Sequence, residues 1–277
     1  MSKHNKYLIY DYNYAQPAER FDIFPETEYL LSLTEKLQMP IIHFWQSSPL
    51  IILGLQDKQL TNLNAGLQLL NDYKYNYFVR NSGGLAVVSD PGVINLSLFL
   101  PNSAQISVKE AYLTFYELMT GAFPELDIQH GEAIKSYCPG DFDLVINGKK
   151  IAGLAQRRSE NALVIMAYIS IQGDQYKRGN LLQSFYELAN TNNDSNFPDI
   201  YPDSMADLNQ FMDPGFGIAE FKQRILLTFK RAKIKLALMS HQELMDQPNF
   251  TDFIYRRQRK QARLNASIFE ENRNERI

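Results

Sequence analysis

A single cysteine, Cys138, and a lysine twelve residues further on, Lys150, are the side chains of this sequence best suited to nucleophilic chemistry. Cys138 lies in Ser136-Tyr137-Cys138-Pro139-Gly140, a turn and not a strand, so solvent or substrate can reach it. A lone cysteine is more often a small core filler than a nucleophile, and its place on a turn is what argues for chemistry. Lys150 belongs to FDLVINGKKIAGLAQRR, residues 142 to 158, where Asn147-Gly148 is a strong hairpin signal that pairs 142–146 with 150–155. Lys149 and Lys150 are successive strand residues and must point to opposite faces, so one of them points inward. An inward ammonium needs a partner to offset its desolvation. If the partner is Cys138, a thiolate is favoured and the sulfur becomes a nucleophile at neutral pH. If it is Asp141 or Asp143, the pair is structural, and residue types alone leave both open.

A second constellation is RNSGGLAVVSDPGVINLSL, residues 80 to 98. Gly83 and Gly84 permit positive φ and let a ligand lie close to the backbone. No Gly-Lys-Ser/Thr follows, so this is no phosphate-cradling loop. His130, eight residues before Cys138, suggests a Cys-His dyad, a weaker reading because Lys150 already supplies the partner. The four histidines, at 4, 43, 130 and 241, show no ligand spacing, and no metal is expected. A net charge of -3 makes no case for nucleic acid. Neither a signal pattern nor a membrane-length apolar run is visible, and a single cysteine suits a reducing compartment, so a cytoplasmic location is expected with no membrane partner.

The elements that must position these residues read as α+β. Residues 1–25 are aromatic and irregular, and 26–38 form a helix with Tyr29, Leu30, Leu33 and Leu37 on one face. Residues 41–56 read as a hairpin split at Ser47-Ser48-Pro49. A helix over 60–73 precedes an antiparallel meander over 75–101. Ser107 and Glu110 form a capping box opening a helix to Gly121. The hairpin at 142–158 gains a third strand from 161–172, and a helix follows over 174–189. After a Pro- and Asp-rich connection the rest reads as a helical tail. Its basic cluster, 255–263, is read as a solvated helix face, with docking of acidic acceptor domains as the sharper alternative. Strands at 41–172 with helices at the ends exclude βαβ alternation.

The two motifs, in this order and separation, resemble the catalytic domain shared by lipoate-protein ligases, octanoyltransferases and biotin ligases, over about residues 41–190. The resemblance implies mainly antiparallel or mixed sheets flanked by helices, with a tunnel for a medium-length acyl chain. It implies a catalytic domain over 1–215 and a helical C-terminal extension, 216–277, packed on it. Lys150 falls on the lysine this superfamily uses at the acyl carbonyl. Arg80, Ser82, Gly83, Gly84, Asp90 and Asn95 map onto its substrate-facing motif, and the amide near Gly153 is placed to oppose an oxyanion. Ligases typically read R-R-x-S-G-G-G-A-V-x-H-D; here Asn81, Leu85 and Ser89 stand at the second arginine, third glycine and histidine, which tells against ATP.

Cysteine ahead of the G-K-K hairpin, with R-N-S-G-G-L-A-V-V and S-Y-C-P-G, most resembles the octanoyl-[glycine cleavage H protein]:protein N-octanoyltransferase family. That likeness implies Cys138 as nucleophile, no cofactor, octanoylated H protein as donor and E2 lipoyl domains of 2-oxoacid dehydrogenases as acceptors. The alternatives are an octanoyl donor on acyl carrier protein, an ATP-dependent lipoate ligase, and a non-catalytic lipoyl-domain binder.

Overall fold

The computed structural model describes residues 5–274. Its strands are β1 (Lys6–Tyr14), β2 (Ile41–Ser47), β3 (Leu50–Leu53), β4 (Asn76–Val79), β5 (Val87–Ser89), β6 (Val93–Pro101), β7 (Gln129–His130), β8 (Leu144–Ile146), β9 (Lys149–Arg158), β10 (Ala162–Ser170) and β11 (Lys235–Leu238). The helices are α1 (Ile23–Leu37), α2 (Leu63–Asp72), α3 (Val108–Ala122), α4 (Gln175–Ala189), α5 (Ile218–Arg231), α6 (His241–Met245) and α7 (Phe250–Asn274). Among the described residues the strands form an eight-stranded sheet, β11-β1-β2-β6-β10-β9-β8-β7, and a three-stranded one, β4-β3-β5. The fold is α+β with mixed sheets, as expected. His4 and the last three residues of the C-terminal extension lie outside the described residues.

Period-two alternation explains the large sheet. Ile94, Leu96 and Leu98 of β6 and Leu163, Ile165 and Ile169 of β10 point to one face, where Phe115 and Leu118 of α3 and Phe221 and Ile225 of α5 cover them. Ile41, Phe99 and Val164 point to the other, beneath Tyr29, Leu30 and Leu33 of α1 and Ile254 of α7. The small sheet buries Ile51, Leu53 and Val88 against Leu67 and Leu70 of α2 and Leu182 and Phe185 of α4. Each such side chain contributes roughly 1.5–3 kcal/mol by leaving water. The predicted capping box on α3 is present: Glu110 N–H donates to Ser107 Oγ at 3.2 Å, and Ser107 N–H donates to Glu110 Oε2 at 2.7 Å.

Four expectations are corrected. Residues 41–56 are no hairpin, since β2 and β3 belong to different sheets. Both are buried along nearly their whole length, as interior strands are, and Ser48-Pro49 carries the chain across, with Ser48 N–H bonded to Tyr14 O and Pro49 O accepting from Asn76. The meander is likewise absent. β4 and β5 flank β3 on opposite sides, parallel and antiparallel, while β6 joins the large sheet. The start of the chain is not irregular, because β1 is an inner strand parallel to β2 and β11. The tail is not all helix either: Lys233, at φ 59, ends the α5 turn, and β11 follows along β1.

His43 on β2 shows one energetic consequence of this packing. It is 0% exposed, its ring lies 4.7 Å from that of Tyr10, and neither ring nitrogen has a hydrogen-bond partner. Burial, aided by the charge of Lys222, pulls its pKa from 6.5 to about 3. Between those values the unfolded chain binds the proton and the folded one does not, so stability is full above about pH 6.5 and is lost as pH falls toward 3. Glu26, raised by burial to about 7, works in the opposite sense and favours the fold as pH falls. Comparison with a His43→Leu variant isolates the imidazole: its urea midpoint should drop less than that of the parent between pH 7 and pH 4.5.

Candidate active site

Cys138 sits in the connection between β7 and β8. Its φ is 45°, a left-handed conformation that a non-glycine residue holds only where its surroundings impose it. The neighbours Ser136 and Tyr137 are 0% exposed, whereas Cys138 is partly exposed at the edge of the core beneath the small sheet. The hairpin beside it forms about Asn147-Gly148 as predicted, with Ile146 opposite Lys149 and Val145 opposite Lys150, and a register shift at Leu144. β10 adds the third strand.

The two lysines diverge as strand geometry requires. Lys149 is half-buried and Lys150 is 1% exposed. Lys150 Nζ lies 3.0 Å from Asp143 Oδ2 and donates to the carbonyls of Cys138 (2.8 Å) and Tyr137 (3.1 Å), with Ser136 Oγ at 3.3 Å. The carboxylate partner is therefore Asp143, not the exposed Asp141, and the same ammonium grips the Cys138 peptide. Burial pushes the Asp143 carboxyl above the usual range, and Lys150 opposes the shift. The Tyr168 ring lies under the ammonium, 5.6 Å from Nζ.

Gly153 makes this enclosure possible. A methyl group there would stand 2.6 Å from Tyr168 Cε1 and 3.3 Å from Lys150 Nζ. Gly153→Ala should therefore displace one or both and destabilise the fold by about 1–3 kcal/mol, with a matching fall in turnover; denaturant unfolding and rate measurements check the pair.

The glycine motif arrives from the other side. A methyl on Gly84, whose φ is 85°, would lie 3.5 Å from Cys138 Sγ and 2.6 Å from Arg80 Nη2, so sulfur and guanidinium both border this glycine. Arg80 also shapes the loop, donating to Gly83 O (2.9 Å), Leu85 O (3.0 Å) and Ile52 O (3.2 Å). Gly83 and Gly84 are exposed, so the motif brings small residues at the surface next to the sulfur, and Gly153, beside Lys150, is partly exposed.

The structure thus gathers Cys138, Lys150, Arg80, Gly84 and Gly153. Ser82 contributes its carbonyl to Leu55 N–H. Asp90 is held by Arg178 at 2.7 Å and by the Tyr75 hydroxyl at 2.6 Å, and Asn95 donates to Ser89 Oγ at 3.1 Å; both are buried parts of the scaffold. His130 stacks on Phe142 and meets Tyr116 edge-on. Asn81, at the ligases' second arginine, bonds Glu28 and Arg157 at 2.7 and 2.8 Å. In the basic cluster, Arg257 turns inward to Glu28 at 2.9 Å, while Arg256, Arg259, Lys260 and Arg263 are exposed. Nothing in the sequence singles out Arg178, Asp207 or Gln175, since an arginine in YKRGN looks like any surface charge.

Comparison with known proteins places the chain in a family. Residues 23–230 match the lipoyl protein ligase A/B catalytic domain. The octanoyl-[GcvH]:protein N-octanoyltransferase of Oceanobacillus iheyensis is 32% identical over 217 residues, covering 77% of this chain and 78% of that protein. The lipoyl-[GcvH]:protein N-lipoyltransferase of Listeria monocytogenes is 36% identical, covering 65% and 67%. Among solved structures, lipoate-protein ligase A bound with ATP superposes with a TM-score of 0.68 over 93% of this chain and 95% of that one, at 16% identity, a likeness of fold. The chain belongs to the lipoyl protein ligase A/B catalytic-domain family and, within it, to the group of the octanoyl-[GcvH]:protein N-octanoyltransferases.

Proposed function

We propose that this protein moves an octanoyl group from the lysine of octanoylated glycine cleavage H protein to the lysine of E2 lipoyl domains, through a thioester on Cys138 and without ATP. The observation that carries this reading is that Cys138 meets the glycine motif, at Gly84 and Arg80, through its sulfur and the buried Lys150 through its carbonyl. The relatives named for transfer from GcvH support the donor.

In the first half-reaction the Cys138 sulfur attacks the octanoyl carbonyl carbon. The C–S bond forms, electrons pass to the carbonyl oxygen, and their return expels the donor lysine nitrogen, which takes up the thiol's proton by way of Lys150. In the second, the neutral amine of the acceptor lysine attacks the thioester, the sulfur leaves, and the amine's surplus proton returns to the sulfur by the same path. Arg80 borders Gly84 beside the sulfur and Lys150 holds the Cys138 carbonyl, and their positive charge meets the negative charge that develops. An amide is exchanged for an amide, so the overall free-energy change is near zero and no nucleotide is needed. Burying seven aliphatic carbons holds the acyl chain by about 5 kcal/mol, at about 0.8 kcal/mol each. That binding acts on amide and thioester alike and lowers no chemical barrier.

The left-handed turn at Cys138 also places its carbonyl on Lys150 Nζ, so motion of the turn during acylation is coupled to the proton carrier. The test is direct: purified protein, octanoylated H protein and an unmodified lipoyl domain are mixed without ATP. Octanoyl appearing on the lipoyl domain supports the reading. Modification only when free acid and ATP are added would replace it with ligation, and transfer only from octanoyl-acyl carrier protein would replace the donor.

A further inference from the structure

We propose that Arg178, acting with Gln175 one helical turn before it, is the positioning residue of the Cys138 and Lys150 pair; this rests on the reading above. Arg178 lies on α4 and is 4% exposed. Its guanidinium is bound along every edge: Nε to Asp90 Oδ1 at 2.8 Å, Nη1 to Asp207 Oδ1 and Ser170 Oγ at 2.9 Å each, and Nη2 to Gln172 O at 2.9 Å. Gly92 permits this approach, since a methyl there would stand 3.0 Å from Arg178 Nη2.

Two arms lead from this cation to the site. The first runs through Asp207. The residue before it, Ala206, donates its N–H to Lys150 O at 2.9 Å, and Met205 pairs with Lys150 as an isolated parallel bridge. Arg178 therefore fixes the segment that holds the Lys150 backbone. The second arm runs through Gln175, whose N–H donates to Asp207 Oδ2 at 3.1 Å and whose Nε2 donates to the Tyr137 hydroxyl at 2.9 Å. Tyr137 is fully buried, its carbonyl accepts from Lys150 Nζ, and the next residue is Cys138 in its left-handed conformation. Asp90 brings the end of the glycine-motif strand to the same guanidinium. One buried cation thus sets the distance between nucleophile and proton carrier, although it touches neither side chain.

Four variants test this. Gln175→Leu and Tyr137→Phe each remove the bond between Gln175 Nε2 and the Tyr137 hydroxyl without changing charge, and Gln175→Leu also removes the acceptor of Ser170 Oγ, at 2.8 Å. Arg178→Gln removes the hub, and Arg178→Lys keeps the charge without the fork. For each folded variant, steady-state kcat and KM for octanoylated H protein are measured beside the rate at which iodoacetamide alkylates the protein, a signal that reports Cys138 alone because the chain has one cysteine. We expect kcat and alkylation to fall about tenfold or more while KM stays within about twofold, since misplacing reacting groups slows chemistry without touching the docking surface. The Gln175→Leu/Tyr137→Phe double variant should be no worse than Gln175→Leu alone.

Wild-type kcat and alkylation in folded Gln175→Leu and Tyr137→Phe would overturn the proposal even if the Arg178 variants fail to fold. Full rescue by Arg178→Lys would also overturn it, because charge alone would then suffice. Slowed alkylation with unchanged transfer would leave the brace standing and remove the thioester reading instead.

Discussion

Cys138→Ala will lose transfer activity by more than about a thousandfold while unfolding within about 1 kcal/mol of the parent. The two halves of this expectation have separate causes. The sulfur is the atom that carries the acyl group, and nothing else at the site can form a thioester. The fold, by contrast, uses the Cys138 carbonyl, which Lys150 binds at 2.8 Å and which alanine retains. Cys138→Ser should be inactive as well, because a hydroxyl there has cationic Arg80 and Lys150 nearby and not the adjacent neutral base that activates serine nucleophiles. Rates with octanoylated H protein and urea unfolding of the same preparations check both halves. A Cys138→Ala protein that retains transfer would place the nucleophile elsewhere.

Lys150→Met will lose both activity and stability, and the two losses can be separated. Removing the ammonium leaves the Asp143 carboxylate, 1% exposed, without its cation, which typically costs about 3–5 kcal/mol for a buried pair. Four acceptors then face an apolar chain. The double variant Lys150→Met/Asp143→Leu removes the orphaned charge and should regain most of the stability. Transfer should stay depressed in both, by about a hundred- to ten-thousandfold, because proton transfer has lost its carrier. Recovery of transfer in the double variant would show that Lys150 is only structural; thermal melts and single-turnover rates decide it.

What could be read from the sequence depended on whether the signal was local. Asn147-Gly148, the Ser107 and Glu110 caps and the opposite facing of Lys149 and Lys150 are set by neighbouring residues, and all three are present in the fold. Which strand pairs with which is not local. Ile41–Ser47 and Leu50–Leu53 are buried on both faces with no clean alternation of apolar and polar residues, so their composition names no partner, and they enter different sheets. β1 did carry a period-two signal, in Tyr10, Tyr12 and Tyr14, which the aromatic composition obscured. The hydroxyls of Tyr10 and Tyr14 are buried and donate to Glu26 at 3.0 and 2.7 Å.

The site divides in the same way. Cys138 and Lys150 stood out because one is unique in the chain and the other occupies a strand position where an ammonium needs a reason. Asp90 and Asn95 belong to the glycine motif, yet their polar atoms serve the scaffold. Arg178 and Asp207 carry no motif at all. Their proximity arises only when α4 closes over the end of β10, where Ser170 joins both.

Intact-mass spectrometry of the wild-type protein, mixed with octanoylated H protein in the absence of acceptor, addresses the covalent intermediate most directly. A species heavier by one octanoyl group, mapped to the Cys138 peptide and released by hydroxylamine, is the predicted result. Multiple-turnover transfer to a lipoyl domain with no such adduct at any time, or an adduct that persists in Cys138→Ala, would contradict it.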